Sequence, residues 1–170
     1  KDSNDFCVII RYPVHANKLS ILKNQIKDTG LSDKDKKKSQ DLYNQTIKEN
    51  SNNFDLLYKI FENNFTEKPF FFLPDSSFKA FKINPSGLFV NHHEIQDASL
   101  TCPYNDYYLI INGKDEDQFL FVTKDLAIAS DSLPYKKNII FPAFKKIFNR
   151  PGYIATQIKY FNDQLKKLHK

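Results

Sequence analysis

The sequence predicts an α/β (or α+β) protein in which helices pack on the faces of a single mixed β-sheet. Three patterns indicate this class: an apolar strand near the start of the chain, a late β-hairpin, and an amphipathic helix at the C-terminus. The chain has 170 residues, of which 41% are hydrophobic and 26% charged. It is therefore long enough for a sizeable core without disulfides or a structural metal, and we expect one soluble domain over residues 1–170.

The first strand is indicated between Phe6 and Val14, where a β-branched run ends at Pro13. The run is apolar on both faces up to Ile10. Strands that helices cover on both sides have this pattern, whereas half-exposed strands alternate. We therefore expect helices to cover both faces of this strand.

Three helices are expected to follow the first strand. Apolar residues recur at helical spacing before Gly30, which stands where a C-terminal cap belongs. Ser32 followed by Asp35 resembles a capping box for a second helix. Asn52 or Asn53 would cap a third helix. The apolar stripe of that third helix consists of Leu57, Ile60, Phe61 and Phe65.

The second half of the chain is richer in strands. Phe70–Leu73 predicts a strand that ends at Pro74, and Leu88–Val90 predicts a short one. The strongest local pattern is a β-hairpin, in which Tyr107–Ile111 and Phe119–Val122 flank an Asn-Gly turn and an acidic tip. We expect the longer strands to belong to one sheet.

The clearest helix closes the chain, from about Tyr153 to Leu168. Its apolar residues recur at helical spacing: Ile154, Ile158, Phe161, Leu165 and Leu168. A shorter helix is expected through Phe78 and Phe81, after a cap at residues 75–77. We expect four helical residues to pack on the sheet: Leu57, Phe61, Ile158 and Phe161.

No membrane span or signal peptide is visible in the sequence. The longest apolar runs, such as Phe70–Leu73, are far shorter than the roughly 18 residues that a transmembrane helix needs. The chain begins at Lys1 and contains no methionine, which is compatible with the removal of a targeting segment from an exported protein. We predict no transmembrane segment and leave the compartment open.

The glycines and the acidic cluster argue against several classes of site. All four glycines fall at predicted element boundaries, so none remains for a glycine-rich phosphate loop. The acidic tip of the hairpin, residues 115–117, lacks the alternating ligands of a calcium loop, and we expect it to be solvated. No cofactor is predicted.

The segment from His92 to Cys102 contains the residues best suited to catalysis or metal binding. A Cys102 thiolate activated by His92 or His93 would make a nucleophilic enzyme, which we keep as an alternative function. The spacing of these residues matches no zinc motif. We therefore favour a loop with no metal, an unreactive Cys102 and a buried thiol at Cys7, with a Cys7–Cys102 disulfide as the alternative for an exported protein.

Positive charge is concentrated at the C-terminal end of the chain. Residues 101–135 carry two basic and six acidic groups, whereas residues 136–170 carry nine basic groups and a single acid, Asp163. Such an excess is typical of a surface that attracts a polyanion. The residues that we predict to form this surface are Lys136, Lys137, Lys145, Lys146, Arg150 and Lys159.

Several interpretations of this basic region compete. The simplest is a solvated helix face whose last lysines complement the helix dipole. Membrane attachment is disfavoured because the apolar stripe of the helix is needed for the core. Our leading hypothesis is a non-catalytic interaction domain that binds an acidic partner protein. Non-specific nucleic-acid binding is the alternative, and the presence of only two arginines argues against base readout.

Overall fold

The computed structural model of the chain describes residues 5–113, 117–128, 133–137, 146 and 149–167. No helix within these ranges is long and apolar enough to cross a membrane. In chain order the elements are β1 (Phe6–Tyr12), α1 (Ala16–Lys27), α2 (Asp33–Asn64), β2 (Phe70–Pro74), α3 (Phe78–Ile83), β3 (Asp106–Asn112), β4 (Phe119–Thr123) and α4 (Arg150–Lys167).

The four strands form one mixed sheet in the order β2-β1-β3-β4, which confirms the predicted fold class. β1 runs parallel to both of its neighbours, so that Ile9 pairs with Phe71 of β2 and with Leu109 of β3. β3 and β4 form the predicted antiparallel hairpin, in which Ile110 pairs with Phe121. All the longer predicted strands therefore belong to this sheet.

Helices cover both faces of the sheet, as the two-sided apolar pattern of β1 predicted. Side chains alternate along the strand, so Val8 and Ile10 join the core beneath α2 and α4, whereas Ile9 joins the core beneath α3. Phe78 and Phe81 of α3 belong to this second core. The first core contains all four helical residues expected to pack on the sheet: Leu57, Phe61, Ile158 and Phe161.

α2 is a single helix of 32 residues, so the prediction of two separate helices there was wrong. Its start is as predicted, because the Ser32 hydroxyl accepts a hydrogen bond from the Asp35 N–H (3.2 Å). Asn52 and Asn53 lie in the helix interior rather than at a cap. No glycine or proline interrupts residues 33–64, so nothing in the backbone forces a break at the asparagines.

The segment between α3 and β3 follows the edge of β2. Val90 forms isolated antiparallel bridges with Phe72 and Gln96. Residues 88–90 contain no regular strand, so the short strand predicted at Leu88–Val90 was wrong. The segment from His92 to Cys102 contains no helix or regular strand, as predicted.

A disulfide joins Cys7 of β1 to Cys102 of this segment, with their Cα atoms 5.9 Å apart. The expectation of two unpaired thiols was therefore wrong. The pairing follows from the sheet topology. Cys7 lies opposite Tyr107 in the β1–β3 ladder, and Cys102 comes shortly before Tyr107 in the chain.

Candidate functional site

An open crevice of about 720 Å³, which we call the carboxyl-edge crevice, is bordered by His15 after β1 and by Asp117 before β4. Tyr12 and Asn112, at the carboxyl ends of β1 and β3, line an adjoining cavity together with both of these residues. The described lining of the crevice consists of His15, Glu49, Asn52, Asn53, Asp117, Lys146 and Arg150. After β1 the chain turns toward α1 and α2, whereas after β3 it turns back into β4. Ligands of open α/β sheets usually bind where the connections diverge in this way. The topology therefore makes this crevice the candidate functional site.

His15 lines the crevice in a left-handed backbone conformation, with φ 50° and ψ 37°. Non-glycine residues adopt this conformation rarely, and such positions are enriched at functional sites. The preceding residue is held from two directions. The Val14 N–H donates to Asp75 Oδ1 (3.2 Å), and the Val14 carbonyl accepts from Asn50 Nδ2 (2.7 Å). The turn between β1 and α1 is thus fixed by α2 and by the end of β2.

Asp117 is a buried carboxylate in the crevice, with a side chain only 5% exposed. Arg150 donates through Nε to both carboxylate oxygens (3.0 Å each) and through Nη2 to Oδ1 (2.8 Å). Lys146 Nζ lies 3.4 Å from Oδ2. Arg150 Nη1 also donates to Asn53 Oδ1 (2.8 Å). One ionic network therefore joins the hairpin, α2 and α4.

Gln157 supports this network from the core. Its side chain is completely buried in α4. The amide donates to the Asp117 carbonyl (2.7 Å) and accepts from the Phe119 N–H (2.9 Å). Both bonds fix the backbone at the start of β4, so the Asp117 carboxylate is held in a defined position.

The cations in the crevice set the charge state of Asp117. Burial opposes ionisation of this carboxyl, but hydrogen bonds from Arg150 and the charges of Arg150 and Lys146 outweigh it, and the pKa of Asp117 is lowered. Because this pKa lies below that of the unfolded chain, the ionised carboxylate stabilises the fold above the ordinary aspartate pKa of about 4. That contribution is lost as pH falls through the folded-state pKa.

We expect Asp117→Asn to lower the free energy of unfolding by about 2 kcal/mol near neutral pH. This is less than the 3–5 kcal/mol of a fully buried pair, because the half-exposed cations remain solvated. Urea unfolding of both proteins between about pH 7 and pH 3 measures the difference, which should shrink below about pH 4. Asp163→Asn, at an exposed position of α4, is the control and should show little loss. A pH-independent difference for Asp117→Asn would contradict the ionic role.

The network leaves cationic donors available to a ligand. The side chains of Arg150 and Lys146 are 39% and 36% exposed. The described contacts of Arg150 use three of its five N–H donors. Two cations share one buried carboxylate, so Lys146, Arg150 and Asp117 together keep one positive charge. Glu49 is the other acid in the described lining. The two cationic side chains can bind a carboxylate or a phosphate through charge-assisted hydrogen bonds.

The residues of the predicted basic surface have different described contacts. Lys146 and Arg150 lie together in the crevice. Lys137 Nζ instead lies 4.8 Å from the centre of the Tyr160 ring, and Lys136 Nζ lies 6.0 Å from that of Tyr135. Two further members complete the set: Lys159 is exposed on α4 and Lys145 lies outside the described residues.

In the alternative catalytic segment the ring centres of His92 and His93 lie 3.7 Å apart, but neither histidine lines the pocket beside Cys102. The Cys102 sulfur is bonded to Cys7. The His92 ring instead lies 6.2 Å from that of Tyr58 in α2. Within the described ranges, no three His, Cys, Asp or Glu residues are grouped as a metal site would require.

Glu94 of this segment faces a different residue. Burial raises the pKa of the Tyr12 hydroxyl, and the neighbouring Glu94 carboxylate raises it further. Burial also raises the pKa of Glu94. Glu94 therefore belongs to the end of β1 and not to a cluster around Cys102.

Two residues of the crevice, Asp117 and His15, were not predicted as functional candidates from the sequence. Asp117 was expected to be solvated with the rest of the acidic tip, and for this residue the prediction was wrong. The other two members of the tip, residues 115 and 116, lie outside the described ranges. No role was predicted for His15. Its position between the strand-ending Pro13 and the first helix could have indicated a residue in the connecting turn. No protein family, curated protein sequence or solved structure was found to match this chain.

Proposed function

We propose that the protein is a non-catalytic interaction domain that binds an acidic segment of a partner protein in the carboxyl-edge crevice. The observation that supports this proposal most directly is the position of Lys146 and Arg150. Both cations lie in the open carboxyl-edge crevice, near the point where the chain connections after β1 and β3 diverge. Ion pairs with Asp117 hold them in this position. A carboxylate of the partner would take the remaining donors of these two side chains.

The shape and lining of the crevice favour a peptide segment. The crevice is open and lined largely by polar side chains, whereas small-molecule pockets are mostly enclosed and apolar. Asn52 is exposed on α2 and can donate and accept hydrogen bonds, as a peptide backbone requires. Glu49 at the rim would repel a continuous run of acids. We therefore infer a partner whose few carboxylates alternate with neutral residues.

The disulfide bears on both the alternative function and the compartment. A sulfur bonded to Cys7 supplies no thiolate, so Cys102 is not available as the nucleophile of the enzyme alternative while the disulfide is intact. Disulfides persist mainly in oxidising compartments, and from the Cys7–Cys102 bond we infer an exported protein.

The proposal is tested with a fluorescein-labelled peptide of alternating glutamate and glycine, by fluorescence anisotropy. We expect saturable binding at about 50 mM salt that weakens at about 200 mM. Lys146→Glu should reduce the affinity at least about tenfold, since it removes a charge-assisted hydrogen bond of about 1.5–3 kcal/mol. Lys159→Glu changes the net charge equally on an exposed part of α4. It should leave the affinity within about threefold.

Two outcomes would contradict the proposal. Equal losses in the Lys146→Glu and Lys159→Glu variants would show diffuse electrostatic attraction rather than a site. Tighter binding of single-stranded RNA than of the peptide, at the same salt concentration, would instead favour the nucleic-acid alternative.

A further inference from the structure

A second cavity, of about 270 Å³, lies beside the disulfide on the α3 face of the sheet. Buried side chains of Ile9, Phe81 and Phe89 form its floor. We call it the aromatic pocket and define it by these three residues together with Pro85, Ser86, Thr101, Cys102, Tyr104, Asn105 and Tyr107. It contains none of the residues of the carboxyl-edge crevice, so an inference about it is independent of the proposed function.

Aromatic rings dominate the interior of this pocket. The Phe81 ring centre lies 5.6 Å from that of Phe89 and 5.3 Å from that of Tyr107, the latter in an edge-to-face arrangement. Tyr104 is 38% exposed at the mouth. A further ring inserted among these side chains gains both stacked and edge-to-face contacts. Such geometry favours a planar aromatic ligand over a flexible chain.

The charge and the size of the pocket narrow the ligand class. All of its described lining residues are uncharged, so a charged ligand would lose hydration without gaining an ionic partner. Apolar cavities of about 150 Å³ hold benzene. A pocket of about 270 Å³ therefore has room for one or two rings.

The mouth of the pocket supplies a small number of polar groups. Ser86, Thr101 and Asn105 are exposed there. The disulfide ties Cys102, and with it the neighbouring Thr101, to β1. This wall of the pocket is therefore preformed, which lowers the entropic cost of binding.

We propose that the aromatic pocket binds a small neutral molecule of one or two aromatic rings that carries a hydroxyl or amide group. The rings would lie over Phe81 and Phe89, and the polar group would meet the mouth at Thr101 or Asn105. Few convergent polar groups around an apolar interior are typical of small-molecule sites.

The test uses 2-naphthol as the probe and the full chain labelled at isoleucine methyl groups. In NMR titrations the Ile9 methyl resonance should shift saturably, because Ile9 forms the floor. The Ile10 resonance should not shift, because Ile10 lies in the opposite core. Nuclear Overhauser effects from the probe to the Phe81 ring should accompany the Ile9 shift. Absence of a saturable Ile9 shift would overturn the proposal.

Two variants and a second probe sharpen the test. Thr101→Trp fills the mouth from an exposed position and should weaken 2-naphthol binding at least about tenfold. Lys79→Trp is the control, at an exposed position of α3 outside the pocket. It should keep the affinity for 2-naphthol within about twofold of the wild type. Thermal melts of both variants check that they fold. Cyclohexanol, which lacks an aromatic ring, should bind at least about fivefold more weakly than phenol. Undiminished binding to Thr101→Trp, or equal affinities for cyclohexanol and phenol, would overturn the proposal.

Discussion

Removal of the Cys7–Cys102 disulfide is expected to lower the free energy of unfolding by about 4 kcal/mol. The bond closes a loop between residues 95 positions apart, and loops of about that length restrict the unfolded chain by roughly 4–5 kcal/mol. The double variant Cys7→Ala, Cys102→Ala is preferable to a serine variant, because Cys7 is completely buried and a hydroxyl there would lack a partner. Guanidinium unfolding of the wild type and of the variant measures the loss.

Reduction provides the matched control for this prediction. A phosphine reductant should destabilise the wild type by a similar amount and leave the double-alanine variant unchanged. The expected loss is a large fraction of the 5–15 kcal/mol that stabilises an ordinary domain. Two titratable thiols in the folded, air-oxidised wild type would contradict the pairing itself.

The elements that could be predicted from the sequence are those whose signal is local. The hairpin strands flank a loop that follows the Asn-Gly pair and is longer than a two-residue turn, and the residues between Ile154 and Leu165 repeat at helical spacing. Both signals depend only on residues a few positions apart, and the structure confirms both elements. The apolar character of β1 on both faces likewise predicted helices on both sides of the sheet.

The features that could not be predicted depend on partners distant in the sequence. Asn53 resembles a helix cap because its side chain can accept hydrogen bonds, but in the fold it accepts from Arg150, 97 positions away. Asn50 likewise donates to the Val14 carbonyl, 36 positions away. Local propensity could not show that Asn50 and Asn53 bond to distant parts of the fold. Nor could it show that Asn53 lies within α2 and does not begin a new helix.

The candidate site could be predicted only in part, for the same reason. Lys146 and Arg150 both belong to the C-terminal charge excess that the sequence shows. Charge counts carry no geometry, however, and they could not show that Lys146 and Arg150 line one crevice or that Lys136 and Lys137 lie over tyrosine rings. Asp117 comes within reach of Arg150 only when the hairpin and α4 pack together. Its burial is a property of the tertiary fold.

Phe161→Ala is expected to lower the free energy of unfolding by about 3–5 kcal/mol, the range for a large aromatic residue removed from a packed core. Phe161 is 0% exposed, and its ring centre lies 5.9 Å from that of Phe121 in β4. The truncation would leave a cavity between α4 and the sheet. Neighbouring rings cannot fill this cavity without leaving their own contacts. The loss therefore includes a cavity term as well as lost burial.

Urea unfolding of Phe161→Ala and of Lys159→Ala measures this contribution within a single helix. Lys159 lies two residues earlier on the exposed side of α4, so its truncation should change stability by no more than about 0.5 kcal/mol. The slope of the unfolding free energy against urea concentration should stay the same in both variants if the fold is kept. A loss of unfolding free energy below about 1 kcal/mol for Phe161→Ala would show that α4 does not pack in the core as described. Arg150 and Gln157 of α4 hold Asp117 in the carboxyl-edge crevice. That result would therefore also contradict the structure of the crevice.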